Sequence, residues 1–125
     1  MLVSVVSEKN TDDVIRRVNE ISSDSDIVEV GFDKFHSIDI DDIKLLREKI
    51  NCPVIFTLRS TTQGGVYQGE EAKRLSELME LGAVNPDYID FEYTINDGFI
   101  KEFHAKYPDV KIIRSYHNFE CTPSD

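Results

Sequence analysis

The amino-acid sequence predicts an α/β protein built on a parallel sheet. Two periodicities alternate along the chain: short apolar runs of strand character, and longer stretches whose apolar residues recur at helical spacing. The helical stretches lie between the runs, as the crossovers that parallel pairing requires.

Leu2 to Val6 is the first run, and Asn10 or Thr11 can cap the helix that carries Val14, Val18 and Ile21 on one face. Ile27 to Phe32 is the second strand. Ile43, Leu46 and Ile50 share a face of the second helix, within Ile40 to Ile50, and Asn51 and Pro53 mark its exit. Val54 to Leu58, rich in β-branched and large apolar residues, is strand three. A loop from Ser60 to Gly65 follows, and its paired glycines, Gly64 and Gly65, predict a turn or a close backbone approach. The third helix holds Ala72, Leu75, Leu78 and Met79, with Gly82 as its expected C-cap. Tyr88 to Tyr93 is strand four. Phe99, Ile100 and Phe103 mark a helix closed by Pro108, and Val110 to Ile113, extending to Tyr116, is strand five. Thr122 and Pro123 have the form of a further helix start.

Five strands and four helices fit either a complete open α/β sandwich or a little over half of an eight-stranded barrel, which usually needs about 250 residues. The stop just after an apparent helix start favours a barrel cut short. No repeat or flexible linker divides the chain, so residues 1–125 form one continuous domain.

Composition narrows the function. With 14 basic and 24 acidic residues the formal net charge is −10, which opposes binding to nucleic acid or anionic membranes. No apolar run reaches the ~20 residues of a membrane helix, and MLVSVVSEKN lacks the form of a signal peptide. Cys52 and Cys121 are too few and too scattered for a disulfide framework or a metal site, and suit reduced packing residues in the cytoplasm. His36, His104 and His117 form no convincing metal set, so no metal is expected.

In either architecture, ligands bind where strands end and βα loops begin. Ser4, Glu29, Asp33, Arg59, Glu92, Arg114, Ser115 and His117 lie in or near such places. Ile27, Glu29 and Gly31 share one face of strand two, so Glu29 interrupts an apolar strand, and an interior carboxylate needs a partner. Arg59 is the natural partner and Arg114 a second candidate; a purely structural ion pair is the plain alternative. His117 has the chemistry of a general acid–base group, or is an ordinary structural or surface histidine.

Three segments, in order, resemble the type I 3-dehydroquinate dehydratase family. Residues 56–69, FTLRSTTQGGVYQG, resemble its T-x-R-x-x-x-E-G-G segment; residues 115–123, SYHNFECTP, resemble S-x-H-[DN]-F-x-x-T-P; and residues 26–33, DIVEVGFD, resemble D-x-x-E-x-R-x-D. Residues 87–92, DYIDFE, fit the fourth strand. The resemblance implies a partial (β/α)8 TIM barrel and a shikimate-pathway lyase that dehydrates 3-dehydroquinate through a Schiff base, with no cofactor. It implies His117 as the catalytic histidine, and Glu29, Arg59, Gln63 and Ser4 at the substrate. Two positions depart from the pattern: Gly31 stands at an arginine position and Gln63 at a glutamate position. The Schiff-base lysine of the family belongs on strand six, beyond residue 125, so the isolated chain is expected to be inactive. Lys111, at the start of strand five, is misplaced for that role. The alternatives are a non-catalytic remnant or half-barrel assembly module, or another barrel lyase or aldolase, since any αβ barrel has the same element order; an open half-barrel is expected to self-associate.

Overall fold

A computed structural model describes residues 2–21, 25–61, 65, 67 and 69–115. The elements alternate as β1 (Val3–Ser7), α1 (Thr11–Ile21), β2 (Ile27–Gly31), α2 (Ile40–Glu48), β3 (Val54–Thr57), α3 (Glu71–Leu81), a 3₁₀ turn (Gly82–Val84), β4 (Tyr88–Glu92), α4 (Asp97–Lys106) and β5 (Lys111–Ser115). All neighbouring strands pair in parallel, in the order β1-β2-β3-β4-β5.

That order decides between the two architectures left open by periodicity. A doubly wound sheet reverses direction at a switch point, whereas here every strand is added to the same side. Right-handed crossovers that all advance one way leave the helices on one face. Burial agrees: Val6, Val28, Val30, Phe56, Ile89 and Phe91 belong to the main core with Val14, Val18, Ile43, Leu46, Leu78 and Phe103 from the helices. On the other face of β1, Val5 remains 61% exposed. The arrangement is that of a barrel wall.

The helix starts follow from local chemistry. Asn10, rather than Thr11, caps α1: its Oδ1 accepts from the Asp13 amide at 2.8 Å, and its Nδ2 donates back to the Asp13 carboxylate at 3.2 Å. Asp39 accepts from the Asp41 and Asp42 amides at the start of α2, and Asn96 accepts from the Phe99 amide in α4. Aromatic edges fill the layer between sheet and helices. Phe32 meets Phe35 and Phe56 at 5.1 and 4.9 Å, and Phe91 meets Phe103 at 4.9 Å. Cys52 packs half-buried against this core; Cys121, Tyr116, Thr122 and Pro123 lie outside the described residues.

The third helix turns toward the core the face its apolar residues suggest, with Leu78 buried and Leu75 and Met79 half-buried against the core. Burial also reaches Arg74, Glu77 and Leu81, while Ala72 is exposed. Gly82 does end that helix, but with right-handed φ of −60°; the left-handed residue is Asn85, φ 59°. Gly82 is needed for closeness instead. A Cβ there would collide with the rings of Tyr107 and Phe103, which pack over it. Gly82→Ala is therefore expected to destabilise the fold by about 1–3 kcal/mol, visible as a lower urea midpoint at unchanged slope.

Candidate functional site

Parallel strands deliver their last residues to a common rim, and the polar residues of that rim gather around Arg59. Its Nη2 donates to Asp90 Oδ2 at 2.5 Å, and its Nη1 lies 3.7 Å from Glu29 Oε2. The expected Glu29–Arg59 pair thus exists, yet Asp90 is the closer partner. Asp90 is 5% exposed at the side chain, and a carboxylate this deep requires a cation beside it. It alternates with Tyr88 and Glu92 along β4, so it shares their face.

Several polar atoms here have spare bonding capacity. Arg59 Nε, Asp90 Oδ1 and Ser115 Oγ are buried without hydrogen-bond partners among the described residues. Buried polar atoms in folded proteins are nearly always paired, so these three mark the least satisfied part of the rim among the described residues. Beside them, Gly31 is closely surrounded by hydroxyl and carboxylate oxygens: a Cβ there would lie 3.1 Å from Asp33 Oδ1, 3.3 Å from Thr57 Oγ1 and 3.8 Å from Ser7 Oγ, the first two tighter than an ordinary contact.

Arg59 is held in place from behind. Arg74 of α3, 1% exposed at its side chain, donates Nη1 to the carbonyl of Leu58 and to Glu92 Oε1, each at 2.7 Å. Glu92, 2% exposed, accepts from the amide of Ser60 at 3.3 Å and from its hydroxyl at 3.2 Å. The residues on both sides of Arg59 are therefore tied to one buried guanidinium. The remaining face of Arg74 donates a two-pronged bond to Glu71, at 2.8 and 2.7 Å. Burial pushes the Glu92 carboxyl above the ordinary glutamate range, against the opposing pull of Arg74. The hydrogen bond from Arg74 holds the Glu71 carboxyl below it. In the loop beyond, the Gly65 amide bonds the Ser60 carbonyl at 2.9 Å, and a Cβ on Gly65 would collide with the Arg59 carbonyl. That is the close approach the paired glycines predict. Tyr67 donates to Glu77 at 2.5 Å, and burial raises its phenol.

Other expected site residues lie elsewhere. Ser4 sits in register with Val28, on the helix-facing side of β1, and its hydroxyl bonds Ser25 at 2.5 Å. The serine on the face of Val3 and Val5 is Ser7. Arg114 makes no pair with Glu29; its Nη2 donates to the carbonyls of Tyr93 and Ile95 at 2.9 and 3.0 Å, fastening the turn after β4. Lys111 lies at the opposite end of β5 from the rim, over the ring of Tyr88. Gln63 and His117 fall outside the described residues. No group of His, Cys, Asp and Glu among the described residues is arranged to hold a metal ion.

A one-sided parallel sheet with a guanidinium, carboxylates and hydroxyls on its C-terminal rim defines a barrel-type α/β protein with its polar groups at the end of the strands where such folds place their sites. The match to the type I 3-dehydroquinase family model spans residues 1–125, and the chain belongs to that family. It is 34% identical over 119 residues to the 3-dehydroquinate dehydratase of Methanobrevibacter smithii, covering 94% of this chain and 52% of that protein. It is 39% identical over 105 residues to a bifunctional 3-dehydroquinate dehydratase/shikimate dehydrogenase of Arabidopsis thaliana, covering 80% of this chain and 17% of that protein. The crystal structure of the 3-dehydroquinate dehydratase from Aquifex aeolicus superposes with a TM-score of 0.71 at 30% identity, over 98% of this chain and 56% of that one. The chain thus spans about half the length of the single-function relatives it matches.

Two expectations follow for the clamp. Arg74→Met strands Glu92 as a buried, unpaired carboxylate and should destabilise by about 3–5 kcal/mol; Arg74→Met with Glu92→Leu should be clearly milder, both read by chemical denaturation. The lowered Glu71 carboxyl takes up its proton at lower pH in the folded than in the unfolded chain. Its contribution to stability is present above the ordinary glutamate value of 4.5 and is lost as pH falls through the folded value. Stability measured against pH below 4.5 should therefore fall less steeply in Glu71→Gln than in the parent chain.

Proposed function

We propose that this chain supplies the substrate-recognition part of a 3-dehydroquinate dehydratase, a carbon–oxygen lyase of the shikimate pathway. The observation that carries the reading is the Glu29–Arg59–Asp90 group with its unmatched polar atoms. In this reading the hydroxyls of 3-dehydroquinate bond to Glu29, Arg59 and Gln63, and Asp90 keeps the Arg59 fork turned toward them. Ser7 and Thr57 take the place assigned by motif to Ser4.

His117, two positions beyond Ser115 in the sequence, is the general acid–base group. The reaction needs a lysine amine to condense with the substrate ketone and release water. The resulting iminium accepts electron density as the neighbouring carbon loses its proton. The hydroxyl at the next carbon then leaves as water, its proton coming from the histidine, and hydrolysis of the imine returns the amine. We place that lysine on a sixth strand, outside residues 1–125. The chain then corresponds to the N-terminal part of the barrel, and its two scattered cysteines suit work in the reducing cytoplasm.

The chain alone should bind 3-dehydroquinate without turning it over. In an NMR titration, Arg59→Gln is expected to weaken binding about tenfold or more, the loss of one charge-assisted contact. Borohydride reduction in the presence of substrate should leave the intact mass unchanged. A covalent adduct would refute the placement of the lysine, and absence of any binding would refute the recognition role.

A second reading, a non-catalytic assembly module, is favoured by Gly31, which offers no polar side chain where the family motif carries an arginine. Val3 and Val5 are exposed on the uncovered face, and on that ground the chain should self-associate as its concentration rises. Light scattering giving a constant monomer mass would count against this.

A further inference from the structure

A cavity of about 490 Å³ lies on the outer rim, among the segments that follow β1, β2 and β3. Each segment contributes a lysine to its wall: Lys9, Lys34 and Lys73. In a chain of net charge −10 this convergence stands out. Every arginine pairs with a carboxylate, whereas none of these three lysines makes a salt bridge with a described residue. Asp33 is the one carboxylate among the described lining residues, and Lys34 Nζ reaches only the Ser7 carbonyl, at 3.4 Å. Three exposed lysines lining one concave space give it a local positive charge that attracts an anion. Phe35 and Tyr67 supply aromatic surface in the same wall. The volume falls in the usual range for small-molecule sites.

We propose that this cavity binds a phosphorylated small molecule of about sugar size. The phosphate sits among Lys9, Lys34 and Lys73, and the organic body lies against Phe35 and Tyr67. A phosphate dianion matches the charge better than a carboxylate does, and lysines bind phosphate as point charges without demanding a fixed geometry. The site is separate from Arg59 and its carboxylates. Asp33 stands between the two, lining the cavity while its Oδ1 approaches Gly31. The proposal is independent of the dehydratase reading.

The test is an NMR titration of the 125-residue chain with glycerol 3-phosphate, inorganic phosphate and malonate at constant ionic strength. Expected are saturable shifts centred on Lys9, Lys34 and Lys73, with glycerol 3-phosphate the tightest of the three. Lys34→Gln with Lys73→Gln should weaken it at least about tenfold, the removal of two charged contacts. Lys101→Gln with Lys106→Gln, on α4, should leave it unchanged. These lysines are exposed, so the variants keep the fold. Shifts spread over the surface without saturation, malonate binding more tightly than the phosphates, or equal affinity in both double variants would overturn the proposal. Loss of phosphate binding in Arg59→Gln would overturn it too, by moving the ligand to the other site.

Discussion

The buried ion pair of Arg74 and Glu92 is the joint on which the rim depends. Removing two charges from water is costly, and in most positions an apolar pair of the same volume would serve stability as well or better. What the pair provides here is direction. The chain leaves β3 at Leu58 and passes Arg59 and Ser60, with the carbonyl before Arg59 and the amide after it both held by the same cluster. A strand end in solvent would fray; this one is fixed, and a fixed guanidinium loses little freedom when it meets a ligand.

Much of this was legible in the sequence, for physical reasons that differ by element. β2 could be assigned to its faces because Val28 and Val30 alternate cleanly with Glu29, and the structure buries the valines under helices while Glu29 remains half-exposed near Arg59. β1 offered no such parity. Its valines occupy positions 3, 5 and 6, both faces at once, and Ser4 fell on the helix side. Asp90 was hidden by looking for a partner to Glu29 alone. Its spacing of two from Glu92 places both on one face of β4, a signal that was present.

Arg74 is invisible to a helical periodicity defined by apolar residues alone. Positions 74, 78 and 81 form one stripe, and a charge interrupting that stripe signals a buried group as surely as Glu29 does in a strand. Gly82 shows the converse. A glycine at the end of a helix suggested a left-handed cap, but its reason is the ring of Tyr107 from a helix distant in sequence, which no local pattern encodes.

The sequential strand order also bears on how the chain acquires its shape. Each strand pairs with its predecessor across a single crossover, so no pairing waits for a distant segment. Each pairing still has to close a whole crossover, as between Val3 and Ile27 or Ile55 and Tyr88, and parallel pairings of this kind form slowly. On the ribosome, each new strand and helix would find its template already in place, so this sheet can grow at the pace of translation, one unit laid against the last.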